Sequence, residues 1–131
     1  MIDRITIVNT RPPTRADLNT ELQWLGATLG LFNERDKDSS CFRVFVTLVR
    51  ASQHNQQISS DEIASQTSLS RGTVVHHLNK LRDAGLINLR NQRYELTGAS
   101  LQQALHQVHN EMQEMLRLID AVARDIDSKL R

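Results

Sequence analysis

Ser70 to Gly85, SRGTVVHHLNKLRDAG, carries a complete set of helix signals within itself. Ser70 is a good N-cap, and Gly85 can adopt the left-handed conformation that ends a helix. Val74, Leu78 and Leu81 fall at i, i+4 and i+7, which puts them on one apolar face that has to be buried. The opposite face carries Arg71, Gly72, Thr73, Val75, His76, Asn79 and Lys80. Hydrogen-bonding groups, cations and a small apolar side chain on one exposed face suit contact with base edges and phosphates in a DNA major groove, and they would also suit an ordinary solvated helix surface.

The flanking residues extend this reading. Upstream, Ser59 and Glu62 have capping-box spacing and start a short helix with Ile63 on its inner side, and Gln66-Thr67-Ser68-Leu69 reads as a tight turn into Ser70. Downstream, Leu86 to Arg90 and Arg93 to Leu96 read as two strands around Asn91-Gln92, a hairpin with arginines beside its tip. Helix, turn, helix and basic hairpin together resemble the winged helix-turn-helix domain of bacterial and archaeal transcriptional regulators. The run LSRGTVVHHLNKLRDAGLI is similar to the ArsR-like and MarR-like branches. The resemblance implies that the Ser70 helix lies in a major groove and that the hairpin is a wing on the backbone or minor groove. It assigns DNA contact to Ser70, Arg71, Thr73, Val75, His76, Asn79 and Lys80, and wing cations to Arg90 and Arg93. Gly72 and Val75 stand where such proteins often carry a polar residue, which implies modest base specificity.

Charge is distributed as this reading requires. The chain of 131 residues has a formal net charge of only +1. Between Ser70 and Arg93, however, Arg71, Lys80, Arg82, Arg90 and Arg93 face Asp83 alone, whereas from Ala99 onward five anions meet four cations. Positive charge is concentrated where phosphate would lie. Hydrophobic residues at 39% and charged residues at 24% fit an ordinary globular chain. The apolar run Val44 to Val49 is too short for a membrane span, so a soluble, cytoplasmic protein is expected. Cys41 is the single cysteine, which excludes an internal disulfide and fits a small buried hydrophobe.

Residues 1–13 read as an N-terminal arm, residues 14–97 as the DNA-binding domain and residues 98–131 as a dimerisation helix. In the arm, Arg4 and Arg11, with Arg15 just beyond it, could reach DNA, although fraying or packing on a partner subunit suits a terminus better. Thr14 with Asp17 can cap a helix whose stripe is Leu18, Leu22, Leu25, Leu29 and Phe32, and Gly26 and Gly30 on it would permit another helix to come close. Trp24 lies just off that stripe, placed either for a dimer contact or for the core. Asn33 to Ser39 is a charged link. The next helix starts at Ser39 or Ser40, with Phe42, Phe45, Val46 and Val49 on its core face and Val44 and Leu48 turned to another neighbour. Ile58, Ile63, Leu69, Val74, Leu78, Leu81, Leu86 and Leu89 should seal the core. Thr97 can cap a final helix of about thirty residues, or about 45 Å. Along it Leu101, Leu105, Val108, Met112, Met115, Ile119, Val122 and Ile126 form a heptad seam. A domain this small cannot hide so long a stripe, so a homodimer is expected, with two recognition helices spaced for two half-sites.

The expected fold is mainly α with a small β-hairpin wing, a winged helix-turn-helix extended by a long C-terminal dimerisation helix. No Gly-rich phosphate loop, nucleophile elbow or metal-ligand cluster around a Glu base occurs, so neither catalysis nor a cofactor is expected. His106 and His109 are close enough to share a metal ion, yet no cysteine accompanies them, so no metal site is assigned. The expected partners are double-stranded DNA and a second copy of the chain, with no membrane. A regulator of the resembled class would repress by occupying a promoter, and a protein-assembly module is the rival reading.

Overall fold

The computed structural model describes residues 2–14, 17–32 and 39–131. Arg15 and most of the charged link from Asn33 lie outside the described residues. The elements run α1 (Leu18–Thr28), α2 (Ser40–Gln53), α3 (Ser60–Thr67), α4 (Arg71–Asp83), β1 (Ile87–Arg90), β2 (Arg93–Leu96) and α5 (Leu101–Leu130). This is a mainly α fold with a small wing after the helix-turn-helix and a long terminal helix.

The signals around α4 act as their chemistry dictates. The Ser70 hydroxyl oxygen accepts the Thr73 N–H at 3.2 Å. At the other end Gly85 has φ +79, and the N–H groups of Gly85 and Leu86 donate to the carbonyls of Arg82 and Leu81. That pairing satisfies the last turn of the helix and turns the chain into β1. Val74, Leu78 and Leu81 are fully buried, each contributing about 1.5 to 3 kcal/mol by leaving water. Ser59 caps α3 by accepting the Glu62 N–H at 3.1 Å. The α3 helix runs further than expected, because Gln66 and Thr67 are helical. The turn into α4 is made by Ser68 at φ 57 and by Leu69.

The wing is an antiparallel pair in the register Ile87↔Leu96 to Arg90↔Arg93. Asn91 and Gln92 both have positive φ, the geometry of the two-residue turn that matches strand twist. Ile58 adds a bridge to Tyr94, exchanging both backbone hydrogen bonds, so β2 lies between β1 and the residue that leads into α3. Leu89 is 41% exposed near the wing tip rather than part of the core, and Leu69 is only half-buried. Ile87, Tyr94 and Leu96 are the wing's core residues.

Around this unit the other elements form a scaffold. The core face of α2 is Cys41, Val44, Phe45 and Leu48, while Phe42, Val46 and Val49 are only half-buried. The expected assignment of Val44 and Leu48 to a separate neighbour is therefore corrected. They sit innermost because α2 has α3, α4 and β2 packed around it. Its Arg43 guanidinium donates to the carbonyl of Thr67 at the end of α3. Asp17, not Thr14, caps α1, accepting the Thr20 N–H at 2.9 Å, and that bond holds the Asp17 carboxyl below its usual range. The helix stops at Thr28, short of the expected stripe. Gly30 at φ +68 closes it, and Phe32 folds back so that its ring occupies the place where a Cβ on Gly26 would stand. Gly26 thus admits a ring from the helix's own tail, not another helix.

Neither fraying nor a partner is needed to hold the arm. Asp3 and Arg4 N–H groups both donate to the Asp83 carbonyl at the end of α4, at 2.7 and 2.9 Å, and Val8 N–H donates to Thr28. The helix α5 starts three residues later than expected, with Ser100 as its cap. The buried Thr97 instead gives its N–H to the Leu86 carbonyl and closes the base of the wing. The first part of α5 lies on the domain, with Ala104 and Val108 buried and Leu101, Leu105 and Met112 packed beside them. Beyond Met112 every residue is exposed. There Arg117, hydrogen-bonded to Glu114, holds that carboxyl below the usual carboxylate range. Among the described residues no helix is long and apolar enough to cross a membrane.

Candidate nucleic-acid interface

Residues at helical spacing on the outer side of α4 produce a strip of Arg71, Gly72, Val75, His76, Asn79 and Arg82. All are exposed except the half-buried Val75. His77, next to His76, turns inward, and its Nε2 lies 2.7 Å from the Ser40 hydroxyl.

Several residues expected to touch DNA already have partners within the chain. Ser70 and Thr73 are bound to each other, with the Ser70 hydroxyl donating to Thr73 Oγ1 at 2.8 Å, and so serve the cap. The Lys80 ammonium donates to the carbonyl of Leu31 at 2.9 Å and ties α4 to the segment after α1. Arg71 pairs with Asp61 at 3.3 Å, and both side chains are largely exposed. Such a pair is worth at most about 1 kcal/mol, so a phosphate could take the place of Asp61. On the wing, Arg93 is held from two sides, donating to the Gln57 carbonyl at 3.0 Å and pairing with Glu62 at 2.9 Å. The Glu62 carboxylate therefore anchors the wing. Arg90, opposite Arg93 across the hairpin, is exposed.

Two residues join the site that sequence reasoning passed over. Arg82 follows Asn79 by three positions and Val75 by seven, a spacing that places it on the outer strip. Asn88 carries no sequence signal of its own. With Asn79 and Arg90 these two line a polar cleft of about 590 Å³ between α4 and β1.

Of the expected dimer seam, Leu101, Leu105, Val108 and Met112 meet the chain's own domain, whereas Met115, Ile119, Val122 and Ile126 are 50 to 59% exposed. His106 and His109 are exposed on α5 with ring centroids 6.4 Å apart. Among the described residues no group of three or more His, Cys, Asp or Glu side chains is placed to hold a metal ion.

Residues 54–88 match the profile of the bacterial regulatory protein, arsR family. The match takes in α3, the turn and α4, and ends two residues into β1. No curated protein and no solved structure matches the chain. Fold and match agree on an ArsR-like winged helix-turn-helix domain, a similarity that supports a DNA-binding transcription regulator.

Proposed function

We propose that the chain works in the cytoplasm as a homodimeric, sequence-specific regulator that represses by occupying a promoter. The recognition helix α4 enters a major groove through Arg71, Val75, His76 and Asn79. The wing presents Arg90 to the backbone or minor groove, with Arg93 holding the hairpin at its angle. The observation that carries this reading is the outer strip of α4, polar and cationic, standing beside a wing whose tip bears the exposed Arg90. Dimerisation is supported by the exposed half of α5, where Leu116 and Leu118 widen the seam, and by an apolar groove of about 700 Å³ between that helix and the arm. Symmetry of the pair would place two strips on two half-sites.

Selection of bound duplexes from a random pool tests the proposal. Enrichment of an inverted repeat is expected, and a pool that stays random would overturn sequence-specific binding. Asn79→Ala should change which repeat is enriched, because a good bidentate contact discriminates its base by about 1 to 3 kcal/mol. The width of the exposed apolar face on α5 favours one rival, an assembly module that docks protein along the rod. That rival predicts duplex affinity indifferent to Arg71, Arg90 and Arg93.

A further inference from the structure

We infer that the cleft between α4 and β1 is a phosphodiester-binding site in which Arg82 and Arg90 grip the DNA strand from opposite walls, with Asn88 completing the donor set. The inference rests on the proposed placement of α4 and the wing, and it adds residues and a role which that placement does not itself specify.

The first support is geometric. In a duplex, the major groove and the minor groove beside it are separated by one sugar-phosphate strand. A protein with a helix in one and a hairpin tip at the other has to let that strand pass between the two elements. Here the space between them is the polar cleft of about 590 Å³, lined by Asn79, Arg82, Asn88 and Arg90, with Ile87 and Leu89 from the strand and Asp3 and Asp83 at the arm end.

The second support comes from what the motif's cations already do. Arg71 is paired with Asp61, Lys80 with the Leu31 carbonyl, and Arg93 with Glu62 and the Gln57 carbonyl. The guanidinium groups of Arg82 and Arg90 have no hydrogen-bond or ion-pair partner among the described residues, and both line this one cleft. Two guanidinium forks and the Asn88 carboxamide supply N–H donors that match phosphate oxygens, and guanidinium is suited to them in shape as well as charge. Asp3 and Asp83 line the same cleft and oppose a phosphate there. Such contacts fix the register of the protein on the duplex and read no bases.

The test compares the full chain with Arg82→Gln, Asn88→Ala, Arg90→Gln and Asp83→Asn. Anisotropy of a labelled mixed-sequence duplex is followed between about 50 and about 200 mM salt, with circular dichroism to verify folding. Each arginine removed should flatten the logarithmic salt slope by about 0.9, so that affinity falls about 3.5-fold less across that range than in the wild type. Affinity on every sequence should drop for Arg82→Gln, Asn88→Ala and Arg90→Gln and rise for Asp83→Asn, while Arg82→Lys should restore the slope. A folded Arg82→Gln protein that keeps the wild-type slope and affinity overturns the cleft site and leaves the DNA-binding reading standing. A wild type that ignores duplexes at low salt overturns both.

Discussion

Gly72 is the residue whose chemistry is least explained by the protein's own interior. It lies in the first turn of α4, its φ is not in the left-handed region, and a Cβ built on it would meet nothing within 4 Å. Glycine in a helix costs about 0.5 to 1 kcal/mol relative to alanine, and no internal contact here compensates for it. A bare backbone on the outer strip does allow a duplex to come closer than a methyl group would. Gly72→Ala should therefore stabilise the chain by up to about 1 kcal/mol in urea unfolding while weakening duplex binding. Stabilisation with unchanged affinity would remove Gly72 from the interface. At this scale the sequence discloses which side of α4 a residue occupies, but not what its side chain reaches. Lys80 has the spacing of an outer residue, yet its partner, Leu31, is 49 positions away and is brought near only by folding. Arg82 shows the reverse, since its spacing was readable and its importance emerges only once its neighbours are seen to be occupied.

Elements were legible where a short-range device defines them. Ser59, Ser70 and Gly85 start and stop helices through bonds made within a few residues, and the wing follows from strand pattern and turn. Boundaries slipped where two candidates compete and a distant contact engages one of them. Thr97 and Ser100 can both cap α5, and Ser100 does so, its hydroxyl oxygen accepting the Gln103 N–H, while the Thr97 N–H ties Thr97 to the Leu86 carbonyl at the base of the wing. The bridge from Ile58 to Tyr94 and the anchoring of Arg93 belong to the same class, being pairings across the chain that no local pattern announces. They give the two wing arginines different duties. Arg93→Gln removes the tie to Glu62 and Gln57, so hydrogen exchange at the Ile58 and Tyr94 amides should quicken, by about fivefold if the tie is worth about 1 kcal/mol. Arg90→Gln should leave those amides as they are. Equal exchange in both variants would mean that the backbone bridge alone holds the wing.

At the scale of the molecule, a single heptad stripe on α5 is covered by the chain's own domain along only part of its length. The spacing from Leu101 to Ile126 is continuous, and periodicity records that a face is apolar without recording which surface covers it. The domain covers the stripe only as far as Met112. The remaining stretch to Leu130, about 27 Å of helix, carries Met115, Leu116, Leu118, Ile119, Val122 and Ile126 exposed. Substitutions in the two halves should therefore separate stability from assembly. Val108 is buried against the domain, and Val108→Ala should cost about 2 kcal/mol of unfolding free energy while leaving the sedimenting mass unchanged. Ile119 is 57% exposed in the single chain, so Ile119→Asp should cost the domain little. In a dimer the same aspartate would be an unpaired charge in an apolar seam, a placement unfavourable enough to dissociate the pair. Sedimentation of Ile119→Asp as a monomer, from a wild type that sediments as a dimer, is the expected result. A dimer that survives the substitution would move the interface off this face, and a monomeric wild type would leave the rod to a partner other than its own copy.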